Sequence, residues 1–335
     1  MTSAAHTQEI ALLDAASSGD ERAFRELVEP YRSRLHSHCY RMLGSLQDAE
    51  DAVQEALLRA WRGLPRFERR SSFKSWLYRI ATNTCLRLIE RRPKRVLPIE
   101  YGPAAVPGEP LDEPLLESVW IDPYPHAPEA SYEERESVEL AFIAALQHLP
   151  PRQRAVLILR DVLNFSANEA AELLETSPAA INSALQRAHK LVNEKLPEQS
   201  QQATLRTLGD ERLRDVVNDY MAAWERADVP AIVDLLTDDA TITMPPRPTW
   251  FRGKDAIRAF LAEFPLRPGR RWRLVPVIAS GQPAFGNYSW HADRDRWVLH
   301  AIDVLTLSER GIEDTTAFLD PDLLRLFGLP LELEP

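Results

Sequence analysis

Nine of the twenty-six prolines fall between residues 93 and 130, and no other feature limits the fold as strongly. Proline removes a backbone donor and fixes φ, so neither a helix interior nor a central strand runs through such a segment. The stretch PGEPLDEPLLESVWIDPYPHAPEA reads as an extended connector, and the chain on either side must build separate cores. The length of 335 residues agrees, because single cores stop growing at roughly 250–300 residues.

The connector also divides the charge. From Arg59 to Arg95 there are twelve Lys or Arg against Glu68 and Glu90. From Val96 to Leu140 there are eleven Asp or Glu against Arg135 alone. The net charge of −10 averages over this contrast, and a local basic block is what an anionic partner meets. Cys39 and Cys85 are the only cysteines, too few for a disulfide framework, and both read as reduced core thiols. His36 and Cys39 lie three apart on a helix without a further ligand at a suitable offset, so neither a metal nor another cofactor is expected. No run approaches the roughly 18 apolar residues of a membrane span. The opening MTSAAHTQEIALL lacks a basic-then-apolar signal, and a cytoplasmic protein without a membrane partner is expected.

Before the connector the periodicity is helical. Phe24, Leu27, Val28, Tyr31, Leu35 and Met42 recur at helical spacing, with Pro30 expected to give a local kink. Ser45 with Asp48 opens a second helix, whose apolar stripe runs from Ala49 to Trp61. Asp48, Asp51, Gln54 and Glu55 mark its opposite face. A third helix, SFKSWLYRIATNTCLRLIERR, carries Arg79, Asn83, Arg87 and Arg91 at steps of four, hence on one face. Just before it, Phe67, Phe73 and Trp76 alternate with Arg66, Arg69, Arg70 and Lys74. Cations interleaved with aromatics suit single-stranded nucleic acid, a stacked base contributing about 1–3 kcal/mol. The same residues also fit core aromatics beside a solvated basic face.

After the connector, Ser166 with Glu169 and then Ser177 with Pro178 start two helices joined by a short turn, a helix-turn-helix. The second helix buries Ile181, Ala184, Leu185, Ala188 and Leu191, while its first turns carry Ser177, Ala179, Ala180, Asn182 and Ser183. Short side chains let a helix axis approach the major groove closely. There Asn182 and Gln186 suit adenine, Arg187 suits guanine or phosphate, and Lys190 suits the backbone. Two such modules on a tether of about 38 residues, at most roughly 125–135 Å long, span elements about 70 Å apart with length to spare.

In order along the chain, DAEDAVQEALLRAW, FKSWLYRIATNTCLRLIERR, LPPRQRAVLILRDV and NSALQRAHKL resemble the extracytoplasmic-function (ECF) sigma factors of the sigma-70 superfamily. The resemblance implies a region 2 domain over 8–95, an acidic Pro-rich linker over 96–135 and a region 4 helix-turn-helix domain over 136–196. It implies core RNA polymerase and promoter DNA as partners. Asp48, Asp51, Gln54 and Glu55 would dock on the β′ clamp helices, and helices 138–160 on the β flap. Phe67, Arg70, Lys74, Trp76, Arg79 and Asn83 would open the −10 element, with Arg87, Arg91 and Arg92 on flanking backbone or the duplex edge. Residues 177 to 190 would read the −35 element. Many relatives carry Asp where this chain has Arg87, which bears on the −10 preference. The acidic linker would thread polymerase channels or serve as a solvated spacer.

Residues 205–333, with DYMAAWERADVPAIVDLLTDDATITMPP, FRGKDAIRAFLAEF and four strand-like runs, resemble the SnoaL-like polyketide-cyclase fold. The fold class expected is thus two all-α domains followed by an α+β cone, its strands an antiparallel meander. His291, Asp293, His300, Asp303 and Asp239 are candidate acid–base groups, but no spacing among them is diagnostic and no catalytic residue is assigned. Trp224, Trp250, Phe251, Trp272, Trp290 and Trp297 suit either a packed cone or an apolar pocket. The resemblance implies a regulatory role for this domain, with intramolecular contact to the sigma domains. The alternatives are a stand-alone helix-turn-helix regulator and a fused cyclase-like enzyme.

Overall fold

The computed structural model describes residues 3–115, 119–125 and 137–335; connector residues 116–118 and 126–135, and residue 136, lie outside them. The chain divides into two compact units. One gathers the chain up to Lys94 with Ala145–Lys195, the other Arg95–Ala144 with Leu196–Pro335.

Helices α1 (Ser3–Ser17), α2 (Glu21–Leu43), α3 (Leu46–Gly63) and α4 (Phe73–Ile89) build the first part of the first unit. Asp20 caps α2 by accepting the N–H groups of Arg22 and Ala23 at 2.9 and 3.1 Å, which satisfies two of its unpaired donors. Helix α2 runs on through Pro30 without a break. It stops at Gly44, whose φ of 71° suits glycine and whose N–H reaches the Tyr40 carbonyl. Ser45 then caps α3 through the Asp48 N–H. His38 is fully buried, bonded to Thr82 Oγ1 at 2.9 Å, with its Nδ1 unpartnered.

The second part of this unit holds α5 (Leu140–Gln147), within which the division falls, and α6 (Pro151–Leu157), continued by a π-turn over Ile158–Val162. Helix α7 (Ala167–Leu173) starts at a reciprocal Ser166–Glu169 cap, and α8 (Pro178–Asn193) starts at Ser177. Arg154 on α6 joins the two parts. Only 4% exposed, it donates to the Met42 carbonyl at the end of α2, to Gln147 Oε1 at 2.5 Å and to the Gln147 carbonyl at 3.1 Å. Burial depresses its pKa to about 10, and the acceptors around it hold the charge there. Arg154→Met should strand these acceptors and cost about 1–3 kcal/mol. Hydrogen exchange should then accelerate at the C-terminal turn of α2 and in α6, and unchanged exchange at both would contradict the tie.

The second unit is a sheet with helices. Helices α9 (Gln201–Glu225) and α10 (Val229–Asp234) lead into β1 (Leu236–Thr243) and β2 (Trp250–Arg252). Helix α11 (Lys254–Glu263) follows, then β3 (Trp272–Ala279), β4 (Gln282–His291), β5 (Arg296–Ser308), β6 (Gly311–Phe318) and β7 (Glu332–Leu333). The strand order is β2-β1-β6-β5-β4-β3, with β7 added on β5. All pairs are antiparallel except β1 with β6, so the meander is incomplete. Strand β6, GIEDTTAF, escapes a period-two reading because half-buried Asp314 sits among threonines and accepts from Thr241 and Thr316. Two bulges break the register: β5 carries His300 as an extra residue opposite Asn287 and Tyr288 of β4, and β6 carries Glu313 opposite Thr306 and Leu307 of β5; such bulges bend strands. Tyr220, Trp224, Phe251, Phe260, Trp272 and Phe285 fill the concave side with aliphatic neighbours.

The polar run PEQSQQATLRTLGD, which reads as a break, is structured because its glutamines complete the sheet. Beside the β6 bulge, Gln201 donates to the Leu307 carbonyl of β5 at 2.9 Å and accepts the Leu307 N–H at 2.8 Å. Glu139 caps α9 by accepting the N–H groups of Gln201 and Gln202. Gly209, at φ 75°, interrupts α9 in a conformation that favours glycine.

The connector differs most from its expected form. It is anchored to the sheet domain at several points, though most of residues 101–114 stay exposed. Ala105 N–H donates to the Trp250 carbonyl at 2.8 Å, and Trp250 Nε1 returns to the Gly102 carbonyl at 2.9 Å. Asp112 N–H meets Thr249 Oγ1, whose hydroxyl donates back to Asp112 Oδ2. Tyr124 and Ser280 exchange two bonds, and Trp120 and Ile121 are buried. Prolines remove donors from this strap; Ala105 and Asp112 spend theirs on the sheet domain, while Val96, Glu100 and Ile121 bond within the strap.

Candidate nucleic-acid interface

Helix α8 rests on buried Ile181, Ala188 and Val192 and turns its other side outward. Ser177, Ala179, Ala180, Asn182, Ser183, Gln186, Arg187 and Lys190 are all exposed. Ser177 Oγ accepts the Ala180 N–H at 3.2 Å, which fixes the first turn while leaving it uncovered by bulky side chains. His189 holds Asp161 at 2.5 Å beside this face.

The basic-aromatic segment is arranged differently from a row of open rings. Phe73 and Trp76 are buried, and half-buried Phe67 lies against the Trp76 ring at 4.8 Å and 30°. Lys74 stands 4.9 Å above the ring of buried Phe165, which packs edge-on to Tyr78 at 5.5 Å. Arg70 is exposed beside Glu68, at 2.6 Å, and Arg69 reaches Asp14. Along α4, Arg79 and Asn83 are half-buried, while Arg87 and Arg91 are exposed. Arg87 also touches Thr84 Oγ1 at 3.2 Å, and its partial burial lowers its pKa.

On α3, Asp51 and Gln54 are exposed, and Glu55 is half-buried against Arg59 at 2.5 Å. Asp48 is not part of that open face. It is 5% exposed and paired with Arg92, so two residues expected on different surfaces hold one another. Its first-turn position places it against the segment that follows α4, a proximity that helical spacing alone does not reveal. Phe165 was also missing from the expected site. It precedes the Ser166 cap, where a hydrophobic staple residue belongs; that signal marks it as buried but does not name Lys74 as its neighbour.

The acid–base candidates do not form one cluster. His291 and Asp293 stand 3.9 Å apart at the β4–β5 turn, and Asp239 is exposed on β1. Only His300 and Asp303 line the cavity of the sheet. Among the described residues no helix is long and apolar enough to cross a membrane.

Models for sigma-70 region 2, sigma-70 region 4 and a SnoaL-like domain match residues 27–95, 139–192 and 217–313. Two helical DNA-reading modules of this kind on one chain define a sigma-70-type factor, here extended by a mixed sheet-and-helix domain. The ECF RNA polymerase sigma factor SigG of Mycobacterium tuberculosis is 42% identical over 330 residues, 93% of this chain and 85% of that protein. The ECF sigma factor SigW of Bacillus subtilis is 29% identical over 53% of this chain and 91% of its own length. The crystal structure of the M. tuberculosis ECF sigma factor SigJ has the same fold, with a TM-score of 0.58 at 23% identity, covering 90% of this chain and 97% of that one. The chain belongs to the ECF RNA polymerase sigma factors, which bind core polymerase and direct promoter recognition at transcription initiation.

Proposed function

We propose that this factor reads the −35 element with the exposed face of α8 and opens the −10 element with the segment from Phe67 to Asn83. The observation that carries the reading is the outward display of all eight small and polar residues from Ser177 to Lys190. Asn182 and Gln186 offer amides for adenine, and Arg187 a fork for guanine. Asp51, Gln54 and Glu55 take the β′ clamp helices, and helices 138–160 the β flap. Asp48 and Arg92 shape that surface by pairing. For −10 opening, Lys74 leaves Phe165, at a cost of about 0.5–2 kcal/mol for a cation over a ring. The C-terminal domain regulates the factor, which acts in the cytoplasm beside its polymerase.

Reconstitution with core polymerase on a promoter library tests the reading, with transcripts expected from two-element promoters. Arg187→Ala should cost about 1–3 kcal/mol at a single −35 base pair. Equal weakening of every promoter would make Arg187 a phosphate contact and remove its reading role. Tight duplex binding without polymerase would favour a stand-alone regulator instead.

A further inference from the structure

The second unit encloses a cavity of about 320 Å³, within the range of small-molecule sites. Trp224, Phe260 and Trp272 supply apolar wall. At its buried side stand Asn287 and Asp303, 3% and 2% exposed, joined by an Asn287 Nδ2 to Asp303 Oδ2 bond of 2.8 Å. That bond leaves two buried acceptors, Asp303 Oδ1 and Asn287 Oδ1, without a donor. Buried polar groups are ordinarily paired, and an unpaired one costs about 1–3 kcal/mol. A pure packing core has no use for them. On the exposed side the lining includes Arg267 and Arg270, which favour an anion there.

The connector completes the wall. Leu111 lines the cavity, and the next residue, Asp112, is held by Thr249 and by Arg247, itself a lining residue.

We propose that this cavity is a binding site for a small aromatic or alicyclic molecule bearing a hydroxyl or amine donor for Asp303 and Asn287 and an acidic group for Arg267 and Arg270, with the connector as one wall. Occupancy then tightens the strap that joins the two promoter-reading modules. The binding inference stands independently of how promoter contacts are shared among residues.

Two fluorescent probes test it on the full chain at pH 8. N-phenyl-1-naphthylamine carries the rings and the N–H, and 8-anilino-1-naphthalenesulfonate adds only a sulfonate. Both should bind saturably, one per chain, and quench tryptophan fluorescence. Ala317→Phe, which fills the cavity from its wall, should abolish both. Asp303→Asn keeps the oxygen that Asn287 needs and turns the vacant acceptor into a donor, so both affinities should fall about tenfold, the equivalent of one lost hydrogen bond. Arg267→Glu should weaken the sulfonate probe alone. Probe binding should also slow exchange of the Asp112 amide. Absence of saturable binding, or binding unaffected by Ala317→Phe and Asp303→Asn in folded variants, overturns the site. Equal loss of both probes on Arg267→Glu overturns the anionic end, and unchanged Asp112 exchange with probe bound overturns the connector's part in it.

Discussion

Acidification from pH 7.5 to 4.5 should cost the first unit about 3 kcal/mol through His38 alone. The ring is fully buried, and desolvation followed by the neighbouring Arg41 charge pushes its pKa down to about 3. Thr82 Oγ1 and the edge of Tyr78, at 5.4 Å, are its other neighbours. In the unfolded chain the same imidazole titrates near its ordinary value of about 6.5. Between these two values the unfolded state holds one proton more than the folded state. Stability therefore rises with pH across that window and falls as pH is lowered. His38→Gln retains a partner for Thr82 and has no proton to gain. Hydrogen exchange of the α2 and α4 amides, followed from pH 7.5 to 4.5, should show the wild type opening more readily on acidification and the variant a flatter profile. Parallel profiles for the two proteins would contradict a buried neutral imidazole.

The second unit should respond to Asp303 with the opposite sign. Burial raises this carboxyl to about 7, only partly offset by the Asn287 bond, against an ordinary 3.8. Tyr220, whose own pKa is raised by burial and then by Asp303, and His300 across the cavity are the other titratable groups around it. Here the folded state holds the extra proton, so its contribution is complete below about pH 3.8 and is lost as pH rises through 7. From pH 5 to pH 9 the loss amounts to about 3 kcal/mol. Asp303→Asn, uncharged throughout, should gain on the wild type by that amount over the same range. Exchange of the β4 and β5 amides measures the difference in this unit. A variant less stable than the wild type at pH 9 would mean that Asp303 is ionised and satisfied in the fold. The substitution that strengthens the sheet is also expected to weaken ligand binding, which separates a binding group from a merely structural one.

Helices α4 and α8 belong to the first unit, while the strap between their sequences belongs to the second.

Much of this was legible in one dimension because the signals are local. Helix starts at Ser45, Ser166 and Ser177 follow from side-chain capping within three residues. The small polar start of α8 is likewise a matter of adjacent residues, and its exposure follows from the burial of Ile181 and Ala188 on the other side. Trp224 and Trp272 announced either a packed cone or a pocket, and only their placement around a cavity chose between the two.

What the sequence by itself determined was most of the elements, the presence of helical modules and a sheet domain, and the outward face of α8, all carried by periodicity and caps a few residues long. Tertiary structure decided the rest. It put Lys74 against Phe165, Asp48 against Arg92, Gln201 onto Leu307 of β5 and the proline-rich strap onto Trp250. Each of these pairs joins groups distant in sequence, and a buried donor or charge takes whichever partner folding brings within about 3 Å.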